Sequence, residues 1–279
     1  IDAEKYINDE FDWIRSGVVP DNLDDYLSVD RKGRKLPLSQ EYRQQVLDGL
    51  EGWKDKMAAV GVLDDAEITH KIYEHLGNLQ PQFTNILIDE AQDLGTLELM
   101  TLRKLVQNGP NDVFLACDIA QTILPKKNDI IQAGFSFGDR VFKLQKNYRN
   151  SREILALARE ILWSSIDDAF IDESGIEYLE PEFANRTGDL PLIMEADSLG
   201  SELAGAKEYC QHYIKQNDQS ANCCIILSGF SNLEVKNFGR EIGIPTLDAR
   251  DDFSDELITL SDMETVKGLE FDVVFIVNA

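Results

Sequence analysis

Along the first eighty residues, apolar side chains recur every three or four positions. Tyr6, Ile7, Phe11 and Ile14 fall on one helical stripe, and residues 39–61 carry Tyr42, Val46, Leu50 and Trp53 along one face behind Ser39, a favourable N-cap. Residues 1–80 are therefore expected to form a helical subdomain. From Phe83 the period changes. FTNILID (83–89) is a short apolar run, TLELMTLRKLVQNG (96–109) a helix ended by Gly109, and DVFLACD (112–118) a second run, which together predict strand, helix, strand with buried parallel strands. SREILALAREILW (151–163) repeats apolar residues at helical spacing behind another Ser, whereas 164–189 has no clear period and reads as a linker or surface excursion. LPLIMEA (190–196), ANCCIILS (221–228), LITLSDM (257–263) and DVVFIVNA (272–279) then alternate with the helical runs 201–217 and 231–243, which predicts a second parallel sheet.

Composition narrows the class. The chain has 279 residues, 43% of them hydrophobic and 28% charged, enough for a sizeable core and far from collagenous or disordered compositions. No apolar run approaches the roughly 18 residues of a membrane span, and the acidic opening IDAEKYINDEF is no signal sequence, so no membrane partner and a cytoplasmic location are expected. Net charge is −24, which repels polyphosphates at long range, yet residues 85–150 balance 8 acids with 8 bases, against 26 and 9 in residues 151–279. Any nucleic-acid site must be local. The basic turn DRKGRK (30–35) reads as a solvated turn or as a phosphate contact. Cys117, Cys210, Cys223 and Cys224 form no C-x-x-C pair and are expected to be reduced, mostly buried thiols. His70, His75 and His212 have no metal-ligand spacing and read as surface residues. A start at Ile1 without Met and an end in the apolar run VVFIVNA suggest a piece of a longer chain.

The sharpest chemical signal is Ile86-Leu87-Ile88-Asp89-Glu90-Ala91-Gln92-Asp93, an apolar strand delivering two carboxylates at its carboxyl end, where open α/β sheets bind ligands. Such an acid pair suits Mg²⁺ and the activation of water. Here the sequence resembles the UvrD/Rep-like superfamily 1 helicases, with further motifs in the family's order. LIDEAQD is similar to their motif II, ACDIAQTI (116–123) to motif III, LQKNYRNSREIL (144–155) to motif IV and TVKGLEFDVVFI (265–276) to motif V. The resemblance implies an α/β fold with two RecA-like parallel-sheet motor domains, both incomplete: 81–150 from the first, 151–279 from the second, with 1–80 as the helical insertion of the first. It implies ATP hydrolysed between the two domains to move on single-stranded or partly duplex DNA. Asp89 would hold Mg²⁺ and Glu90 would act as general base. Gln121 would sense the terminal phosphate, and Arg149 would serve as an arginine finger. Tyr148 would stack on the base, Gly268 approach the phosphates and Glu270 the ribose.

Departures from the family pattern matter. No G-x-x-x-x-G-K-[ST] occurs in the chain, so by itself it is expected not to hydrolyse ATP. Where the family has Tyr, an aromatic and Arg after motif III, this sequence has Leu124, Lys126 and Lys127, which keep backbone-neutralising charge but lose a stacking platform. Phe135 or Phe137 could stack instead, or both could be core. The family's motif V Thr and His fall at Asp262 and Glu264, two acids where a nucleic-acid backbone would pass. The alternative reading is a degenerate, non-hydrolysing helicase-like module that binds or regulates a protein partner in a repair or defence complex.

Overall fold

The chain is a mixed α/β protein with small parallel sheets, seen in a computed structural model that describes residues 3–31, 34, 36–118, 121, 124–144, 146–165, 184–216, 220–247 and 257–278. Lys32, Gly33 and Lys35 of the basic turn, and 166–183 of the expected linker, lie outside the described residues. Two compact units are distinguished: among the described residues, 3–146 together with Ser165 make the first, and 147–164 with 184–278 the second.

The first unit opens with α1 (Ala3–Gly17), a short 3-10 segment (Pro20–Leu27), α2 (Gln40–Val60) and α3 (Asp65–Glu74). Ser39 caps α2 by accepting the Tyr42 N–H, and Gly61 ends it at φ 70°. Trp13, Ile14, Val18, Tyr26, Val46 and Leu50 form the helical core, while Tyr42 and Trp53 of the expected stripe remain exposed. At its centre is a charge. Glu10 is wholly buried and accepts from the Tyr26 hydroxyl at 2.6 Å, from Arg31 Nε at 2.6 Å and Nη2 at 2.7 Å, and from Arg34 Nε at 2.8 Å. Burial alone would raise its pKa, but these donors outweigh it and hold the carboxyl below its ordinary range. Arg31 and Arg34 are thus consumed inside the subdomain, and the phosphate-contact reading of the basic turn fails for both.

His70 corrects another expectation, being buried in α3 rather than on the surface. Its Nε2–H donates to the Arg15 carbonyl at 2.8 Å, and its Nδ1 faces the Lys54 ammonium at 3.5 Å. Burial first, then Lys54, pushes its pKa down, because a charged ring would be desolvated beside a cation. Next to it Arg15 pairs with Asp64, the N-cap of α3, and holds that carboxyl low.

The α/β part of this unit has β1 (Ile86–Ile88), α4 (Thr96–Leu105) and β2 (Val113–Leu115), with β1 and β2 parallel and Leu87 opposite Phe114. Ile86, Ile88, Val113 and Leu115 face the core, but Leu87 and Phe114 are exposed. The expected two-sided burial is therefore one-sided, as fits a pair of strands covered on one face. α4 also ends before Gly109, because Val106 turns extended and bridges Phe83. At the start of α4, Gly95 is required by space: a Cβ there would lie 2.6 Å from the Ser16 carbonyl oxygen at the end of α1.

The second unit contains β3 (Asn147–Ser151), α5 (Arg152–Ser165), β4 (Ala184–Arg186), α6 (Leu199–Gln216), β5 (Cys223–Leu227), α7 (Asn232–Ile242), β6 (Ile258–Asp262) and β7 (Val273–Val277). Its three-stranded sheet is parallel throughout, in the order β6-β5-β7. β5 is buried at every position, which a central strand covered on both faces requires, while β7 buries Val277 and only partly covers the alternate Val273 and Phe275. Ser231 and Glu234 form a reciprocal capping box at the start of α7. Cys210, Cys223 and Cys224 are buried free thiols, with Cys210 and Cys224 pushed up to about 12 by burial, whereas Cys117 is exposed. LPLIMEA is not a strand: Leu190, Leu192, Ile193 and Met194 lie outside any regular element and are exposed. No helix among the described residues is long and apolar enough to cross a membrane.

These groups fix how stability depends on pH. His70 has an ordinary pKa of 6.5 that folding lowers, so the unfolded chain binds its proton more readily and stability falls as pH drops below about 6.5. Glu10 and Asp64, lowered from 4.5 and 3.8, add a further loss as pH falls below those values, and Asp12, raised by burial, acts in the opposite direction. Thermal unfolding between pH 8 and 3 should show both stages, and His70→Gln should flatten the upper one. An unaltered slope between pH 6.5 and 5 in that variant would remove His70 from the account.

Candidate functional site

β1 ends in Asp89 and Glu90, both exposed, at the carboxyl end of a parallel pair. Asp89 Oδ1 accepts the Glu90 N–H at 2.9 Å, and Glu90 itself sits at φ 51°, ψ 40°, a left-handed conformation that a non-glycine residue adopts at a cost of about 1 kcal/mol or more. The sharp reversal is held from several sides. Ala91 N–H donates to the Ala116 carbonyl at 2.9 Å, and Asn128 Nδ2 donates to the carbonyls of Ala91 and Leu94, each at 2.8 Å.

The residue that joins these pieces is Gln92, only 5% exposed. Its Nε2 donates to the Glu90 carboxylate, and its Oε1 accepts the Asp118 N–H at 2.9 Å. Asp118 Oδ2 in turn accepts from Gln121 Nε2 at 2.7 Å. A continuous path, Glu90 to Gln92 to Asp118 to Gln121, thus links the end of β1 to the segment after β2. Sequence reasoning places Gln92 within DEAQD without giving it a role. No local signal gives it one, since its acceptor serves Asp118, 26 positions away.

Asp89 fits Mg²⁺ as a single solvent-facing carboxylate, since that ion keeps most of its waters and takes one or two protein carboxylates together with phosphate oxygens. Among the described residues no group of three or more His, Cys, Asp or Glu side chains is gathered into a metal-holding cluster.

The residues proposed to meet nucleic acid are differently placed. Lys126 Nζ lies 2.9 and 3.0 Å from the two Glu98 oxygens, so its charge is already countered. Lys127 is half-buried, donates to Gln132 Oε1 at 2.8 Å, and is lowered in pKa by that burial. Phe135, at 4% exposure, belongs to the core with Ile88 and Leu99, and its ring stacks on the partly buried Phe137 at 6.3 Å. Of the two readings left open, core packing describes Phe135; it offers no free face for a base.

In the second unit, Asn147 Oδ1 accepts the N–H groups of Arg149 and Asn150 at 3.0 and 2.9 Å, which shapes β3 around Tyr148 and Arg149. Tyr148 is exposed. Arg149 Nε donates to Glu270 Oε1 at 2.6 Å, with the two side chains 57% and 66% exposed. The structure therefore brings together Arg149 and Glu270, which lie 121 positions apart in sequence. Gly268 precedes Glu270 by two residues at φ 80°, with open space around it, so glycine is needed there for its backbone angle alone. Asp262, expected as an acid facing a nucleic-acid backbone, instead points inward, 5% exposed and hydrogen bonded to its own turn and to Asn232. Glu264 is exposed.

Comparison of the chain with protein-family models gives no match, and comparison with characterised proteins gives none either. The functional reading consequently stands on the residues and their geometry.

Gln92 must both donate and accept. Gln92→Glu keeps the acceptor toward Asp118 but removes the donor and sets a buried carboxylate against that of Glu90, so it should lower stability at pH 7 by about 1 to 3 kcal/mol. Urea unfolding checks this, and an unshifted midpoint would show that the bridge carries no weight.

Proposed function

We propose that the chain is part of an ATP-dependent superfamily 1 DNA helicase or translocase built on two RecA-like motor domains. The observation that carries the reading is the hydrogen-bonded path from Glu90 through Gln92 and Asp118 to Gln121, which ties together two segments that resemble motifs II and III. A residue that orients water and a residue that senses the terminal phosphate need a mechanical link of this kind if hydrolysis is to drive movement.

In this reading Asp89 holds Mg²⁺, which when bound neutralises charge on the phosphate oxygens of ATP. Glu90, in a left-handed conformation just past β1, accepts the proton of the attacking water, and Gln92 fixes the orientation of one of its oxygens. Gln121 hydrogen bonds the terminal phosphate and passes its presence or loss back through Asp118. Arg149 stabilises the charge that develops on the transferring phosphoryl group, Tyr148 stacks on the base, Glu270 engages the ribose, and Gly268 lets the backbone approach the phosphates. Lys126, Lys127 and Phe137 are left as the local contact to a DNA strand, which must draw Lys126 from Glu98. No Walker-type phosphate loop lies in these 279 residues, and the reading requires that one be supplied from outside them.

One observation favours a second reading, a non-hydrolysing module that binds a protein partner. The groups assigned to phosphate and ribose, Arg149 and Glu270, are paired with each other. An ion pair this exposed is worth at most about 1 kcal/mol, however, and nucleotide phosphates can displace it.

Steady-state ATP hydrolysis by the intact gene product, with and without single-stranded DNA, tests the proposal. Arg149→Ala should lower kcat by about a thousandfold or more while ATP affinity changes little, and Glu90→Gln should abolish turnover. An intact product with no turnover would favour the binding module, and an unchanged kcat in Arg149→Ala would end the finger role.

A further inference from the structure

Asp262 is the one buried carboxylate of the second unit's sheet, among the described residues, that the proposed chemistry does not use. It is the last residue of β6, in register with Leu227 of β5, at the carboxyl edge of the sheet. Four donors converge on it. Oδ1 accepts the N–H groups of Glu264 and Thr265 at 2.9 and 2.7 Å, and Oδ2 accepts from Thr265 Oγ1 at 2.8 Å and Asn232 Nδ2 at 2.9 Å. Asn232, the first residue of α7, also reaches Thr265 Oγ1 at 3.3 Å. The backbone bonds of the turn are long by comparison: Val266 to Asp262 spans 3.4 Å, Lys267 to Glu264 3.3 Å and Leu269 to Val266 3.1 Å. The carboxylate, rather than the backbone, is the firmest polar anchor of this turn.

The segment beyond the turn gives that anchor a purpose. Met263, Val266 and Phe271 pack on Cys224, Ile226 and Leu247, so the turn is fixed at its base, and Gly268 at φ 80° redirects the chain toward Glu270. Farther along, Asn222 receives the strand: its Nδ2 donates to the Glu270 carbonyl at 3.3 Å, and its Oδ1 accepts the Asp272 N–H at 2.8 Å. Glu270 is thus held between two polar clamps, Asp262 before it and Asn222 after it, and meets Arg149 at 2.6 Å.

We propose that Asp262 is a positioning residue: it caps the 263–268 turn and thereby sets the placement of Lys267, Gly268 and Glu270 relative to Arg149. Its meaning for nucleotide handling rests on the function proposed above. A hydroxyl, the group the helicase resemblance implies at this position, has two acceptor lone pairs and could not serve four donors. The acid is therefore a change of role. Its charge is turned inward and neutralised by donors, and it presents no negative group to a passing phosphate backbone.

A residue exchange separates positioning from simple stabilisation. Asp262→Asn keeps an oxygen for Glu264 and Thr265 but turns an amide donor against the Asn232 amide; Asn232→Asp sets two carboxylates face to face. The double variant restores one donor to one acceptor. In the 279-residue chain, NMR of the Arg149 Nε–H reports the Arg149 and Glu270 contact, which neither substitution touches. Each single variant should shift that resonance together with the Glu264 and Thr265 amides, and the double variant should return it. In the intact gene product each single variant should raise KM for ATP about fivefold with kcat little altered, the effect of losing roughly 1 kcal/mol of capping. Leu203→Ala, a buried change in α6 away from the turn, should lower stability without moving KM. An Arg149 resonance indifferent to the singles, or a KM rise equal in Leu203→Ala, would overturn the positioning role. If the intact product shows no turnover in any form, the helicase reading fails while the NMR exchange still decides the role of Asp262.

Discussion

The buried amide of Gln92 is the joint on which the candidate site depends. A strand that ends in two carboxylates must turn away at once, or the acids would be followed into the core by unpaired backbone groups. The turn here places Glu90 in a left-handed conformation, and something must return the cost. Gln92 does so with one side chain that offers both a donor and an acceptor. Its donor takes up a Glu90 oxygen and its acceptor satisfies the Asp118 N–H. Neither Glu nor Met could meet both demands, because the first, when ionised, lacks the donor and the second has no donor and only a weak acceptor. Asn128 completes the arrangement from the opposite side by holding the carbonyls of Ala91 and Leu94.

Buried polar groups recur elsewhere with the same logic and different consequences. Glu10 gathers Tyr26, Arg31 and Arg34, so the segment after the 3-10 turn is fastened to α1 by charge where it has few apolar side chains to offer. Such a cluster adds little net stability compared with an apolar core, but removing one member strands the others at a cost of about 3 to 5 kcal/mol. It therefore acts as a register device: only one placement of the loop satisfies all the donors. Asp262 does for the second unit what Glu10 does for the first, on a smaller scale and next to residues with proposed chemistry.

Much of this was legible in the sequence, and the part that was not has a common physical origin. Ser39 and Ser231 announce helix starts, CCIIL announces a strand buried on both faces, and the apolar runs around Ile86 and Val113 announce a parallel pair, because each depends on residues within a few positions. Polar residues whose partners are distant in sequence gave no such signal. His70 is buried by a contact with Arg15, 55 positions away, and Arg149 meets Glu270 across 121. Phe135 and Phe137 are nearby aromatics of the same type, and only the packing against Ile88 and Leu99 tells the core ring from the half-exposed one. LPLIMEA has a strand's composition but no neighbour to pair with among the described residues, and composition alone does not make a ladder.

The same distinction bears on charge. A net −24 suggests a surface hostile to any polyanion, but the count assigns every acid to the surface. Glu10 and Asp262 are buried among donors, Asp64 is paired with Arg15, and Asp112 with Arg103. The bases are spent as well: Arg31, Arg34, Arg15, Arg103 and Lys126 are all engaged by those acids or by Glu98. Such pairing removes acids and bases in nearly equal number and leaves the acid excess in place, so a nucleic-acid strand could bind only where bases are locally available. What decides it is which charges can be released locally at small cost. Lys126 is the clearest case, since its partner Glu98 also accepts the Gly95 N–H at 2.6 Å and so keeps a hydrogen bond when the ammonium leaves. A strand phosphate competing for Lys126 would then oppose a partly buried ion pair, a smaller barrier than extracting Arg31 from the fully buried Glu10.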